Sequence, residues 1–160
     1  MSRVRFEPPL DRGRYPFSEA VRVRFAETDA MGVVHHAAYL PYLEVARVSY
    51  LRSIGRPYSV LRTEGLEFPV IEVSVRYRKP LVFDEEVDVA VVLAAARGAA
   101  FELGYLLSVD GEPRATGVTV HAVVDHQGHL QRVPAWLFRL APQHRAAAGA
   151  SGEPPKSAPT

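Results

Sequence analysis

The sequence predicts an α+β fold in which one long helix is enclosed by an antiparallel sheet. Three observations predict it. One helical pattern, over residues 38–54, is apolar over more than half its girth, and such a helix needs cover on most of its sides. Four segments after it alternate apolar and polar residues with the period of two of half-buried strands. The connections between most of those segments are short, and strands joined by short turns run antiparallel. With one long helix available, the apolar face of that sheet must lie against it.

The elements follow in order. Residues 1–18, rich in Pro and Arg, read as an extended N-terminal arm. "EAVRVRFAET" (Glu19–Thr28) places Val21, Val23 and Phe25 on one face and Arg22, Arg24 and Ala26 on the other, a first strand. "DAMG" breaks it. From Ala38 to Ile54 the apolar residues Leu40, Leu43, Ala46, Val48, Tyr50, Leu51 and Ile54 fall mainly three and four apart. Pro41 suits a first helical turn, where its missing N–H costs nothing. Gly55 suits the position after the helix end, and Pro57 prevents continuation. "FPVIEVSVRYRK" sets Ile71, Val73, Val75 and Tyr77 against Glu72, Ser74, Arg76 and Arg78. "EEVDVAVVL", "FELGYLLSV" and "RATGVTVHAVVD" are three more strands, the last two joined by the hairpin signal "DGEP" at 110–113. "DHQGH" is a further turn, and "VPAWLFRL" a short terminal helix. Residues 146–160 are polar and low in complexity, and are expected to be disordered. The folded domain is expected over 19–145.

Composition limits the function classes. A chain of 160 residues suits one domain, large enough to bury about 70% of its unfolded surface. Without cysteine there is no disulfide, no thiol nucleophile and no cysteine-bound zinc. A net charge of +1, with lysine only at Lys79 and Lys156, supplies no basic arm for nucleic acid. No apolar run approaches the ~20 residues of a membrane helix, and the N-terminus has no apolar stretch of signal-peptide length. The expectation is a cytoplasmic protein that binds neither nucleic acid nor membrane.

The chemistry concentrates at the mouth of the long helix, in "ETDAMGVVHHAAYL" (Glu27–Leu40). Capping a helix does not require Asp29, His35 and His36 together. Asp29 can act as a general base or as a nucleophile; it can also simply close an Asx-turn. Gly32 lets backbone approach a substrate closely, and the helix start beyond it offers free N–H donors to an oxyanion. His36 can bond a substrate carbonyl or orient Asp29; a histidine satisfied by backbone is the plainer reading. His35 reads as a pocket-lining or interface residue. Arg76, Arg78 and Lys79 cluster at a strand end and suit phosphate groups, or else a solvated strand face. His121, His126 and His129 are spaced H-x4-H-x2-H, but two of them fall in a turn and no H-E-x-x-H occurs, so no metal is expected. There is no G-x-S-x-G, no P-loop and no G-x-G-x-x-G, so no cofactor is expected.

"ETDAMGVVHHAAYL" resembles a motif of the hot-dog acyl-CoA thioesterases of the 4-hydroxybenzoyl-CoA thioesterase type, above all their YbgC-like branch. The match lies in Asp29, Gly32, Val33, Val34, His36 and Tyr39. "PVIEVSVRYRKPLVFDEEVDV" is similar to their second block, and the resemblance covers roughly 19–140. It implies a hot-dog fold: a curved antiparallel sheet of about five strands wrapped around one long central helix. It implies hydrolysis of an acyl-CoA thioester to a free acid and coenzyme A, with Asp29 as the catalytic carboxylate and His36 near the thioester carbonyl. Val33, Val34, His35 and Tyr39 would line the substrate site, and Arg76, Arg78 and Lys79 would meet the coenzyme A phosphates. It implies a homo-oligomer, a dimer or a pair of dimers, joined through exposed sheet edges. His35, Ala38 and Phe25 stand where the family often has Tyr, Asn and Tyr, departures that bear on acyl preference. Two rival readings are a non-catalytic hot-dog module for acyl binding or assembly, and a hot-dog dehydratase. The dehydratases' proline-flanked histidine is missing here.

Overall fold

A computed structural model describes residues 6–141; the tail expected to be disordered lies outside the described residues. The elements are β1 (Phe17–Arg22), α1 (Tyr39–Ser53), α2 (Tyr58–Thr63), β2 (Val70–Tyr77), β3 (Glu86–Arg97), β4 (Ala100–Val109), β5 (Glu112–Ala122) and α3 (Ala135–Leu140). Single 3-10 turns lie at Arg12–Arg14, Phe25–Glu27 and His36–Ala38. The five strands form one sheet in the order β1-β3-β4-β5-β2, antiparallel at every step.

That order explains the apolar girth of α1. β1 and β2 are consecutive strands but stand at opposite edges of the sheet. The chain between them must cross the sheet, and α1 is the segment that crosses. Tyr42, Leu43, Ala46, Tyr50 and Leu51 of α1 pack on Val87, Val89, Val91 and Leu93 of β3 and on Leu103, Tyr105 and Leu107 of β4, all buried. Gly117 on β5 lets the helix come close: a Cβ there would stand 3.1 Å from Leu43 Cδ1. Asp110 and Gly111, with φ of 48° and 78°, make the expected β4–β5 hairpin.

The convex face of the sheet is covered from the N-terminus. Tyr15 packs on Ala90 and Leu106, and the Phe6 ring occupies the space a side chain at Gly104 would need. Arg12 pairs with Asp88 at 2.8 Å and Glu7 with Arg76 at 2.7 Å. The arm is therefore a strap running between β2 and β3.

Two elements depart from the expectation. The first strand ends at Arg22, because Val23 turns its N–H to Glu85 O and the Glu27 carboxylate caps the Arg24 N–H at 2.8 Å. Glu27 also accepts the Tyr42 hydroxyl at 2.7 Å, which ties this turn to α1. Phe25, assigned by alternation to the buried face, is 76% exposed. The short α2 was not foreseen; six residues are too few to display a helical period.

Candidate active site

The segment between β1 and α1 is a clamped loop. Asp29 N–H donates to Val33 O at 2.8 Å and Gly32 N–H to Asp29 O at 3.0 Å. Gly32 has φ 76°, a value a side chain would strain. Val34 N–H donates to Leu81 O at 2.8 Å, and Val33 bridges to Val82, so the loop is fastened to the strand-like segment before β3. His35 N–H donates to Glu27 O.

The two histidines divide their roles here. His35 Nδ1 accepts the Ala37 N–H at 3.1 Å, and His35 O accepts the Ala38 N–H at 2.9 Å. His35 is thus the N-cap of a continuous helical run from His36 to Ser53. His36 instead lines a cleft of about 310 Å³. As first residue of the run, its backbone N–H has no acceptor among the described residues.

The cleft gathers most of the expected residues. Asp29, Val33, Val34 and His36 come from the loop, Tyr39 from α1, and Arg78 and Lys79 from beyond β2, with Met31, Tyr77 and Pro80 completing the wall. Asp29 does close an Asx-turn: Oδ1 accepts the Met31 N–H at 2.8 Å. Its Oδ2 has no hydrogen bond among the described residues. One carboxylate oxygen therefore holds the loop while the other stays free. Tyr39 is a wall: burial raises its phenol above the ordinary value, against the opposing effect of the Leu81 backbone N–H.

Lys79 Nζ is held at 2.7 Å by Glu112, at the edge of the cleft. Arg76 is not brought there. Val75 and Tyr77 pair with Gly117 and Ala115 and face the helix, so Arg76 between them points to the convex side, where Glu7 holds it. Tyr77 was missed as a site residue, although the strand alternation already put it on the helix side. Its hydroxyl donates to His36 O at 3.0 Å, and its ring meets Tyr39 edge-on at 4.8 Å.

The three histidines of the H-x4-H-x2-H spacing do not converge. His121 is buried between Thr119 and Phe68 O, His126 bonds Glu67 and Arg62 O, and His129 pairs with Asp125. Among the described residues no three His, Cys, Asp or Glu side chains are grouped to hold a metal.

A long helix wrapped by a five-stranded antiparallel sheet in this order, with an acid at the helix mouth, defines a hot-dog fold of the thioesterase kind. Residues 23–144 match the thioesterase-like superfamily, and the chain belongs to that family, whose chemistry is thioester hydrolysis. A putative acyl-CoA thioesterase of Bacillus subtilis, YneP, is 33% identical over 67% of this chain and 78% of its own length. The acyl-CoA thioesterase YbgC of Haemophilus influenzae is 36% identical over 56% of this chain and 65% of its own. The crystal structure of a hypothetical protein from Aquifex aeolicus superposes with a TM-score of 0.73 at 35% identity, covering 78% of this chain and 98% of that one. The resemblance to the YbgC-like branch read from Asp29–Tyr39 is met in these relatives. No helix among the described residues is long and apolar enough to cross a membrane.

Proposed function

We propose that the chain hydrolyses acyl-CoA thioesters with Asp29 as the catalytic carboxylate. The observation that carries this is that Asp29 and His36 line one cleft, and that among the described residues neither Asp29 Oδ2 nor the helix-start N–H of His36 has a hydrogen-bond partner. Thioester hydrolysis needs an activated oxygen nucleophile and a donor for the oxyanion, and these two groups supply both. Asp29 takes a proton from water as the water oxygen bonds to the thioester carbonyl carbon. The carbonyl oxygen gains charge against the His36 N–H. Collapse breaks the C–S bond, the thiolate of coenzyme A leaves and is protonated, and the acid is released. In the alternative course Asp29 attacks the carbonyl itself, and water then cleaves the mixed anhydride. Arg78 and Lys79 at the cleft edge are suited to the coenzyme A phosphates. The same reading sets the protein in the cytoplasm, in keeping with a cysteine-free chain.

The active form in this reading is at least a dimer. β2 is an edge strand, and its Val70, Ile71, Val73 and Tyr77 are 41–49% exposed. A bare apolar edge invites pairing with another strand. A second β2, related by a two-fold axis, offers the same eight-residue edge in antiparallel register. The test is a thiol-release assay across aromatic, short-chain and long-chain acyl-CoAs. Release with at least one class is expected. Silence across the panel, with acyl-CoA still bound, would favour the non-catalytic acyl-binding module. Single turnover in ¹⁸O-water separates the two courses: label enters Asp29 only when Asp29 is the nucleophile.

A further inference from the structure

His36 stands between two peptide planes, and both are fastened. A peptide unit is rigid, so its C=O fixes the direction of its N–H. The His36 N–H shares a plane with the His35 carbonyl, which accepts the Ala38 N–H at 2.9 Å. The next plane carries the His36 carbonyl and the Ala37 N–H. That N–H donates to His35 Nδ1 at 3.1 Å, and that carbonyl accepts the Tyr77 hydroxyl at 3.0 Å. Two side chains thus grip one plane from opposite ends, one from the loop and one from the end of β2. With both planes set, the backbone angles of His36 are set, and with them the directions of its N–H and its imidazole.

Neither partner needs the Tyr77 bond for its own sake. Carbonyls at a helix start find partners within the helix. Tyr77 is half-exposed, so water satisfies such a hydroxyl equally. Yet the contact spans 41 positions of the chain and lands on the one residue that lends the cleft an open N–H. The Tyr77 ring is braced as well. It meets Tyr39 edge-on at 4.8 Å, and the Tyr39 hydroxyl accepts the Leu81 N–H. Leu81 O in turn accepts the Val34 N–H of the Asp29 loop at 2.8 Å. The helix start and the Asp29 loop are therefore fixed against one segment, and so against each other.

We infer that Tyr77 and His35 are positioning residues for the hydrolysis: they clamp the 36–37 peptide and so aim the His36 N–H at the oxyanion that forms on the thioester carbonyl. Both act through His36, and no proton moves to or from either of them. The inference rests on the reaction proposed above and adds to it the groups that hold its donor in place.

The test compares wild type, Tyr77→Phe, His35→Ala and His35→Asn on the acyl-CoA that wild type hydrolyses fastest in the panel above. Tyr77→Phe keeps the ring against Tyr39 and removes only the hydroxyl. His35→Asn keeps a side-chain oxygen for the Ala37 N–H. In Tyr77→Phe and His35→Ala, kcat should fall about tenfold with KM little changed, a part of the roughly 10²–10³ that an oxyanion donor is worth. His35→Asn should recover most of that loss. Infrared difference spectra of the same substrate, ¹³C-labelled at its thioester carbonyl and bound to Asp29→Asn, read the donor directly. A hydrogen bond lowers the carbonyl frequency on binding. Adding Tyr77→Phe or His35→Ala to that background should return the frequency part-way to its free value.

A lowered melting temperature with kcat and frequency unchanged makes the two contacts merely structural and overturns the inference. Equal losses in His35→Asn and His35→Ala overturn the part given to His35. A carbonyl frequency that does not shift on binding to Asp29→Asn overturns the His36 donor, and the inference with it. A wild type inactive across the panel overturns the thioesterase reading itself.

Discussion

Asp29 accepts the Met31 N–H through Oδ1, and an asparagine side chain keeps an oxygen there for that bond while losing the charge. Asp29→Asn is therefore expected to keep the fold and to lower kcat by about 10²–10⁴, the scale of a lost general base. Thiol release together with a thermal melt checks both halves, and near-normal turnover would remove Asp29 from the chemistry. His36 contributes a backbone N–H that a substitution leaves in place, and an imidazole that it removes. His36→Ala should lower kcat more than it raises KM, because a contact to the carbonyl strengthens as the oxyanion charge develops. A change in KM alone would make the imidazole a binding group. The motif residues were legible in the sequence because Asp29, Gly32 and His36 lie within one short loop. The division of labour between His35 and His36 was not. It depends on which imidazole turns back to the Ala37 N–H, and the docking of the loop on Leu81 and Val82 decides that.

At the level of elements, β2 has the most consequence. Its alternation was readable, and so was the exposure of an edge, but Arg76 was grouped with Arg78 and Lys79 by adjacency along the chain. The strand sends Arg76 to the convex face, where the N-terminal strap supplies Glu7. β2 makes its ladder with β5 on one side only. Val73, 41% exposed near the middle of the strand, is the natural place to block the other side. Val73→Lys should give a monomer of 17.7 kDa by light scattering, with most of its activity lost and little change in its melt. A fully active monomer would sink the β2 dimer.

Across the whole molecule, the buried chain from the Tyr105 hydroxyl to the Phe68 carbonyl ties β4 to β5 and to the segment just before β2. It also builds in an acid sensitivity. Burial, with help from the Arg47 charge, lowers the His121 pKa from 6.5 to about 4. The unfolded chain thus takes up this proton at a higher pH than the folded chain. The contribution is complete above pH 6.5, declines as pH falls from 6.5 to about 4, and is gone below that. At 1.36 kcal/mol per pH unit the loss amounts to about 3 kcal/mol. Urea midpoints measured between pH 7 and 5 should fall in wild type and stay nearly level in His121→Gln. Parallel curves for the two proteins would place the acid sensitivity elsewhere.

The sequence by itself determined the parts governed by near neighbours. The period of two marked the strands, three-and-four spacing marked α1, Asp110–Gly111 marked the hairpin, and Asp29 to His36 marked the candidate site. These patterns survive in the linear chain because each depends on a few consecutive residues. Tertiary structure alone decided what depends on residues far apart in the chain. Glu27 meets Tyr42 across 15 positions and cuts β1 short. Tyr77 reaches His36 O across 41 positions and enters the cleft. Glu7 reaches Arg76 across 69 and removes it from the cleft. A cavity at Arg47 joins residues of α1, α2 and β2 that no local period relates. The physical reason is that backbone periodicity fixes which way a side chain points, whereas its partner is set by which elements the sheet order brings alongside.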